Sequence, residues 1–492
     1  MSPLGGPGCF RASMAVFLAI FFLTATTVFM TGATASGAPL YAPQESVSLP
    51  RGKELQVLLK YIDRQRARVI ALQRELVCRP ALNPEHGGIG EEEKLRWLEN
   101  RLHVLGVTDV ERQDYADERV PGKVRGNLIV RLPGRPGLTG NGTTLWLLSH
   151  LDVAAPGQDG EWKGDPFSLR VEGDLIYGRG VEDNHQAIVA SLLLDQALRE
   201  NAITPPMNIG LLFCSGALAG FAMNIEHVMR QKPGIFGPDD LIVLMDYGSE
   251  DGGFIQVAEK VNLGFRITVT GVEGHAGLLQ KTTNAFEAAA ELVRELRSLG
   301  DAFPARDPFF APPGSTFTPT LTENYSKDTH HIPGKFVFYL DARILPEYSP
   351  EAVQKALHDM AETVSAREGV TIGIEVIGQT PRAPRTSEKS PVVRALGRAI
   401  TAQLGVEPRY GGIGGVSMAS ALRAGGFPVA VWGIQKNCYG KAEESASIKD
   451  HLNQAKVLVR MVYDQEMAPA GDNIPATGTK NTRNGTRNRQ GR

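Results

Sequence analysis

Apolar residues recur at helical spacing from about Lys53, at Leu55, Leu58, Leu59 and Ile62 and then at Val69, Leu72 and Leu76, which predicts helix. A further helix, EEEKLRWLENRLHVLG, stops at Gly106, a residue that ends helices readily. Beyond it, short apolar runs alternate with helical ones. NLIVRLP, TLWLLSHLDV, NIGLLFCSG and LIVLMDYG read as strands, and HQAIVASLLLDQALRE and FAMNIEHVMRQ as helices. Strands and helices alternating over short connections predict an α/β sheet with helices on both faces.

After Val261 the pattern changes. GFRITVTG alternates apolar and polar residues, as an antiparallel strand with one wet face does. NAFEAAAELVRELRSLG is an amphipathic helix and KFVFYLDARI a strand. SPEAVQKALHDMAETVSAREG is a helix with Ser349 as its cap and Pro350 in first position, and VTIGIEVIG is a last strand. From Ser390 the helix and strand alternation resumes. The expected organisation is an α/β domain in two parts, 50–262 and 386–466, interrupted by an inserted α+β domain at 263–385.

The length of 492 residues fits this two-domain reading. With 42% hydrophobic and 22% charged residues the chain has a soluble globular composition. The formal charge of −2 offers nothing to a nucleic-acid backbone, so no nucleic-acid partner is expected. Arg11 precedes an apolar run over 14–30, and Ala33, Thr34 and Ala35 follow it. That layout predicts a signal peptide over 1–35 and a secreted or periplasmic body. An uncleaved membrane anchor is the alternative, because the run approaches the ~17 residues that span a bilayer. The polar tail, 467–492, lacks the apolar surface to order itself and is expected to be disordered. The four cysteines, Cys9, Cys78, Cys214 and Cys438, are too scattered for a disulfide framework.

Three strand ends hold chemistry. In LLSHLDV, His150 and Asp152 close a buried strand, where an imidazole can ligate a metal while a carboxylate fixes its tautomer. Taken alone, the pair reads better as an ordinary polar strand end. IYGRGVEDNHQA presents Asp183 from a glycine-rich turn, although acidic residues also favour any helix start. Asp246 ends the apolar run LIVLMD. One His and two Asp from successive strand ends suit a zinc-like divalent cation. His275 lies in the glycine-flanked loop VTGVEGHAG.

Taken in order, His-x-Asp, Gly-Arg-Gly-x-x-Asp-Asn, the lone strand-end Asp and Gly-His-Ala-Gly resemble the zinc amidohydrolase family of acetylornithine deacetylase, succinyl-diaminopimelate desuccinylase, aminoacylase and carboxypeptidase G. HHIPGKFVFYLDARILPE is similar to that family's Ile-Pro strand with its Asp-x-Arg. The resemblance covers roughly residues 55–462. It implies a di-zinc catalytic domain, with the inserted domain serving as lid and dimerisation module. It also implies a small acyl-amino acid or peptide ligand and a homodimer. His150 and Asp246 would hold one metal, Asp183 would bridge to a second, and Asp152 would orient His150. His275 would reach across the dimer to stabilise an oxyanion.

The chain departs from that pattern at one centre. Where the family carries Asp-Glu-Glu, with a general base and a ligand of the second metal, the register set by Phe213 and Gly220 places Gly216, Ala217 and Leu218. The histidine that should complete the second metal falls on Gly440. Glu226 is about 12 Å of helical rise beyond Leu218, and His451 lies inside the last helix. Cys438 and Glu443 remain as substitute ligands in principle. His185 and Gln186 stand for the usual Lys-Gly, and His330 for Asn. The expectation is one zinc ion per chain, a lost second site, and an impaired or inactive hydrolase. The alternative is a binding or scaffolding dimer without catalysis.

Overall fold

The computed structural model of the chain describes residues 49–464, apart from 137–141, 159, 219–222, 279–280, 324–327 and 437. The expected leader, the tail and Gly220 lie outside the described residues. No helix among the described residues is long and apolar enough to cross a membrane.

A nine-stranded mixed sheet forms the larger body. Its order is Val110–Ala116, Val124–Leu132, Asn208–Cys214, Thr144–His150, Leu241–Leu244, Val429–Val431, Phe254–Glu259, Arg409–Ile413 and Phe310–Ala311. Asn208–Cys214, Thr144–His150, Leu241–Leu244 and Val429–Val431 run parallel to one another. Side chains alternate faces along a strand, and the two faces bury separate clusters. Leu145, Leu147, Leu211 and Phe213 pack on one side with helices Arg51–Asp63, Arg66–Val77, Glu92–Val104, Pro391–Leu404 and Ile448–Val462. Trp146, Leu148, Leu212 and Cys214 pack on the other with Met223–Gln231 and Ala419–Ala424. Helix His185–Glu200 is buried at every position from His185 to Leu198, which explains a sequence apolar nearly all round.

The chain leaves this body at Val261 for a four-stranded antiparallel sheet, ordered Thr316–Glu323, Lys335–Ile344, Val261–Thr270 and Thr371–Gln379. Helices Ala285–Ala302 and Pro350–Glu368 build a second core against it. Ser349 caps the latter helix by accepting the Ala352 N–H, with Pro350 in first position. The sequence pattern predicts three strands here, and the structure has a fourth. Thr316–Glu323 carries Thr at alternate positions and Pro319, pairs among the described residues only with Lys335–Ile344, and is largely exposed. An edge strand needs no apolar face and tolerates proline, so its signal is weak. The first and last connections to the large body lie side by side: the Thr380 N–H donates to Asn262 O at 3.0 Å, and the Asn262 N–H to Thr380 Oγ1 at 2.9 Å. Between them the chain returns to the large sheet as Phe310–Ala311, paired with Arg409–Ile413.

Candidate metal centre

Asn208–Cys214, Thr144–His150 and Leu241–Leu244 are neighbours and end at one edge of the sheet. Open α/β sheets build their sites outside such carboxyl ends. The middle strand finishes on His150, and Asp246 follows Leu241–Leu244 by two residues. Asp183 comes from the turn before helix His185–Glu200.

His150, Asp183 and Asp246 each offer a ligand atom, all within 4.8 Å of one another. His150 Nε2 stands 3.0 Å from Asp183 Oδ1 and 3.7 Å from Asp246 Oδ1. Its Nδ1 faces the main-chain oxygen of Asp152 at 3.0 Å and Asp152 Oδ1 at 3.3 Å. An imidazole held at Nδ1 presents Nε2 to a cation. Among the described residues no other three His, Cys, Asp or Glu side chains gather this way.

The electrostatics fit a divalent cation. Burial alone would lower the His150 imidazole, but the Asp183 charge and the Asp152 hydrogen bond hold it well above its usual value. Burial pushes the Asp183 carboxyl up against the pull of His150, and the Asp246 charge adds to the rise. Two crowded carboxylates beside an imidazole are the donor chemistry that zinc accepts, and a cation relieves their repulsion.

A buried frame holds these ligands. Asn184 accepts the His150 N–H at 3.0 Å and donates to Met245 O at 2.6 Å, lacing two strand ends together. The Asp183–Asn184 peptide bond is cis. Glu444 accepts the N–H groups of Gly180, Glu182 and Asp183 at 3.2, 3.0 and 3.1 Å, and Arg179 Nη1 at 2.6 Å. Burial raises its carboxyl to about 7, with Arg179 opposing. From behind, Lys94 donates to Leu151 O at 2.9 Å, between His150 and Asp152, and lies 2.7 Å from His185 Nε2. Burial drives that amine down to about 7, with Asp152 the leading opposing charge. Asn184, Lys94 and the clamping role of Glu444 escape sequence reasoning. The one available signal was the polar run Glu182-Asp183-Asn184 ahead of an apolar helix.

The positions of the missing acids supply main chain only. Ala217 N–H donates to Asp152 Oδ1 at 3.1 Å and Leu218 N–H to Oδ2 at 2.7 Å. Gly216 has φ 70, and a β-carbon there would stand 2.8 Å from Tyr115 Oη, so this turn requires glycine. Gly440 is exposed, with φ 72. The substitute candidates are engaged elsewhere. Cys438 Sγ lies 3.3 Å from Glu182 Oε2 and 3.2 Å from Ser445 O, and Glu443 pairs with Arg170 at 2.6 Å. His451 lies 2.6 Å from Gln73 Nε2 and 2.7 Å from Ser447 O. Glu226 sits in helix Met223–Gln231 and joins none of these groups. His275 is exposed in a two-residue ladder opposite His331, its ring stacked 6.4 Å from His330, and stands apart from the cluster of its own chain.

The sheet gathers metal-capable side chains at its carboxyl edge and is interrupted by a module with its own core, an architecture suited to a metal-dependent enzyme. A peptidase dimerisation domain of the M20 kind matches residues 257–368. The chain is 31% identical over 409 residues to an uncharacterized metallohydrolase of Methanococcus maripaludis, covering 79% of this chain and 97% of the relative. It is 26% identical over 400 residues to a succinyl-diaminopimelate desuccinylase of Dinoroseobacter shibae, covering 80% and 98%. The di-peptidase Dug1p of Saccharomyces cerevisiae has the same fold, with a TM-score of 0.68 at 14% identity over 83% of this chain and 98% of that one. The chain belongs to the M20 family of metallohydrolases.

Proposed function

We propose that this chain is a secreted M20 protein that holds one zinc ion between His150, Asp183 and Asp246. As a homodimer it binds the amide of an N-acyl amino acid or small peptide, with hydrolysis impaired or lost. The observation that carries this reading is the turn after Asn208–Cys214, which offers Asp152 the N–H groups of Ala217 and Leu218 where a base would be needed. Secretion rests on the leader pattern alone. The alternative, a binding or scaffolding dimer, uses the same groups without turnover.

A bound zinc ion supplies Lewis acidity to a ligand carbonyl. The chain's own groups do the rest. Asp152 faces Nδ1 of His150 with its main-chain oxygen and Oδ1, which turns Nε2 toward Asp183 and Asp246. Asp183 and Asp246 contribute the negative charge. His275 of a second copy is the candidate donor toward a developing oxyanion. Among the described residues no spare carboxylate joins the cluster to take a proton from water, and loss of a general base costs about 10²–10⁴-fold in rate. The test is metal analysis of the mature dimer beside an assay on N-acyl amino acids. One zinc per chain with feeble or absent turnover is expected; two zinc ions with ordinary turnover overturn the reading.

A further inference from the structure

Ile434, Gln435, Lys436 and Cys438 run along the carboxyl edge of the sheet and touch both loops that carry the acidic ligands. Gln186 Nε2 donates to Ile434 O at 2.7 Å, and Gln435 Nε2 donates to the main-chain oxygen of Asp246 at 2.6 Å. The third attachment is Glu182, immediately before Asp183 and 1% exposed. Its Oε1 accepts the Lys436 N–H, while Oε2 accepts the Cys438 N–H at 2.8 Å and the Cys438 thiol at 3.3 Å. Both carboxylate oxygens are thus committed to one segment.

We infer that Glu182 is a positioning residue whose carboxylate fastens the wall of Ile434, Gln435, Lys436 and Cys438 to the Asp183 loop, doing with hydrogen bonds what a second cation would do with ligands. The inference rests on the one-zinc reading above. Hydrogen bonds to an ionised acceptor are roughly twice as strong as neutral ones. The segment cannot lift away without leaving a buried carboxylate short of donors, which is costly. Glutamine is a poor replacement, because its Nε2 would face an N–H that needs an acceptor. The wall is therefore set before any metal arrives.

Hydrogen exchange over 434–440 in the full chain, with chelator and then with zinc, tests this. Wild type should be protected in chelator, and zinc should change that little. Glu182→Gln should lose protection by about tenfold or more, the worth of one hydrogen bond to a charged group. The loss should be confined to that segment, with exchange in Thr144–His150 unchanged and zinc bound more weakly. Glu182→Asp keeps the charge but falls a methylene short, so it should show the same local loss and serves if the glutamine variant does not fold. Wild-type protection that appears only with zinc, or variants protected like wild type, would overturn the clamp. Two zinc ions per chain would instead overturn the one-zinc reading, whatever Glu182 does.

Discussion

Asp152 and Leu218 meet through the main chain, with the Leu218 N–H donating to Asp152 Oδ2 at 2.7 Å. The turn is already pinned where acids would have to stand, and the Leu218 side chain is 40% exposed. Leu218→Glu thus meets no core. Ala217→Glu is the costlier change, since Ala217 packs against the cluster around Ile225 and Val228. Gly440→His has open space around its β-carbon but a positive φ, a strain of roughly 1–2 kcal/mol. The triple variant should bind a second zinc and hydrolyse N-acyl amino acids about 10²-fold faster than wild type. The three changes should act as a unit, so single variants gain little. A triple variant that binds two zinc ions without any gain in rate would show that the lesion extends further.

His150→Ala should abolish zinc uptake, because it removes the one imidazole of the cluster. Asp152→Asn keeps the ligands but loosens the ring, and should weaken zinc binding about 10–100-fold. Equilibrium dialysis reads both. Full uptake by His150→Ala would move the metal elsewhere.

His451 makes stability depend on acid. Burial pulls its imidazole down to about 4 in the folded chain, against about 6.5 when unfolded. The unfolded chain therefore takes the proton first. This contribution is whole above about pH 6.5 and falls toward pH 4, by about 1.4 kcal/mol per unit at its steepest. Urea unfolding of metal-free protein between pH 7 and pH 5 should show the loss, and His451→Gln should flatten it. Equal slopes in the two proteins would refute the assignment.

The family's dimerisation module should pair two copies of the chain. Light scattering on the mature protein at micromolar concentration is expected to give twice the chain mass. A clean monomer would remove His275 from any role in a partner's cleft.

The larger fold is legible in the sequence because its strands are apolar on both faces and its helices periodic. TLWLLSH and NIGLLFC declare themselves, and each feeds two clusters by simple alternation. Thr316–Glu323 does not, since an exposed edge strand is not required to be apolar. The ligand trio is legible because each member ends or follows a recognisable run. The frame is not. Nothing in the spacing says that Lys94, on a helix, reaches Leu151 O, or that of the neighbours Glu182 and Asp183 one clamps and the other faces the cluster. Those roles depend on which chain segments the fold brings together across more than fifty residues.

The first and last crossings between the sheets, bonded at Asn262 and Thr380, are not the whole attachment of the inserted module, because between them in the chain Phe310–Ala311 pairs with Arg409–Ile413 of the large sheet. A body suspended on one strand of peptide can swing and spin. One held by a ribbon of two tethers and by a further strand pairing resists bending as well as torsion. The inserted module is thus braced rather than hung, and the loop that carries His275 is braced with it.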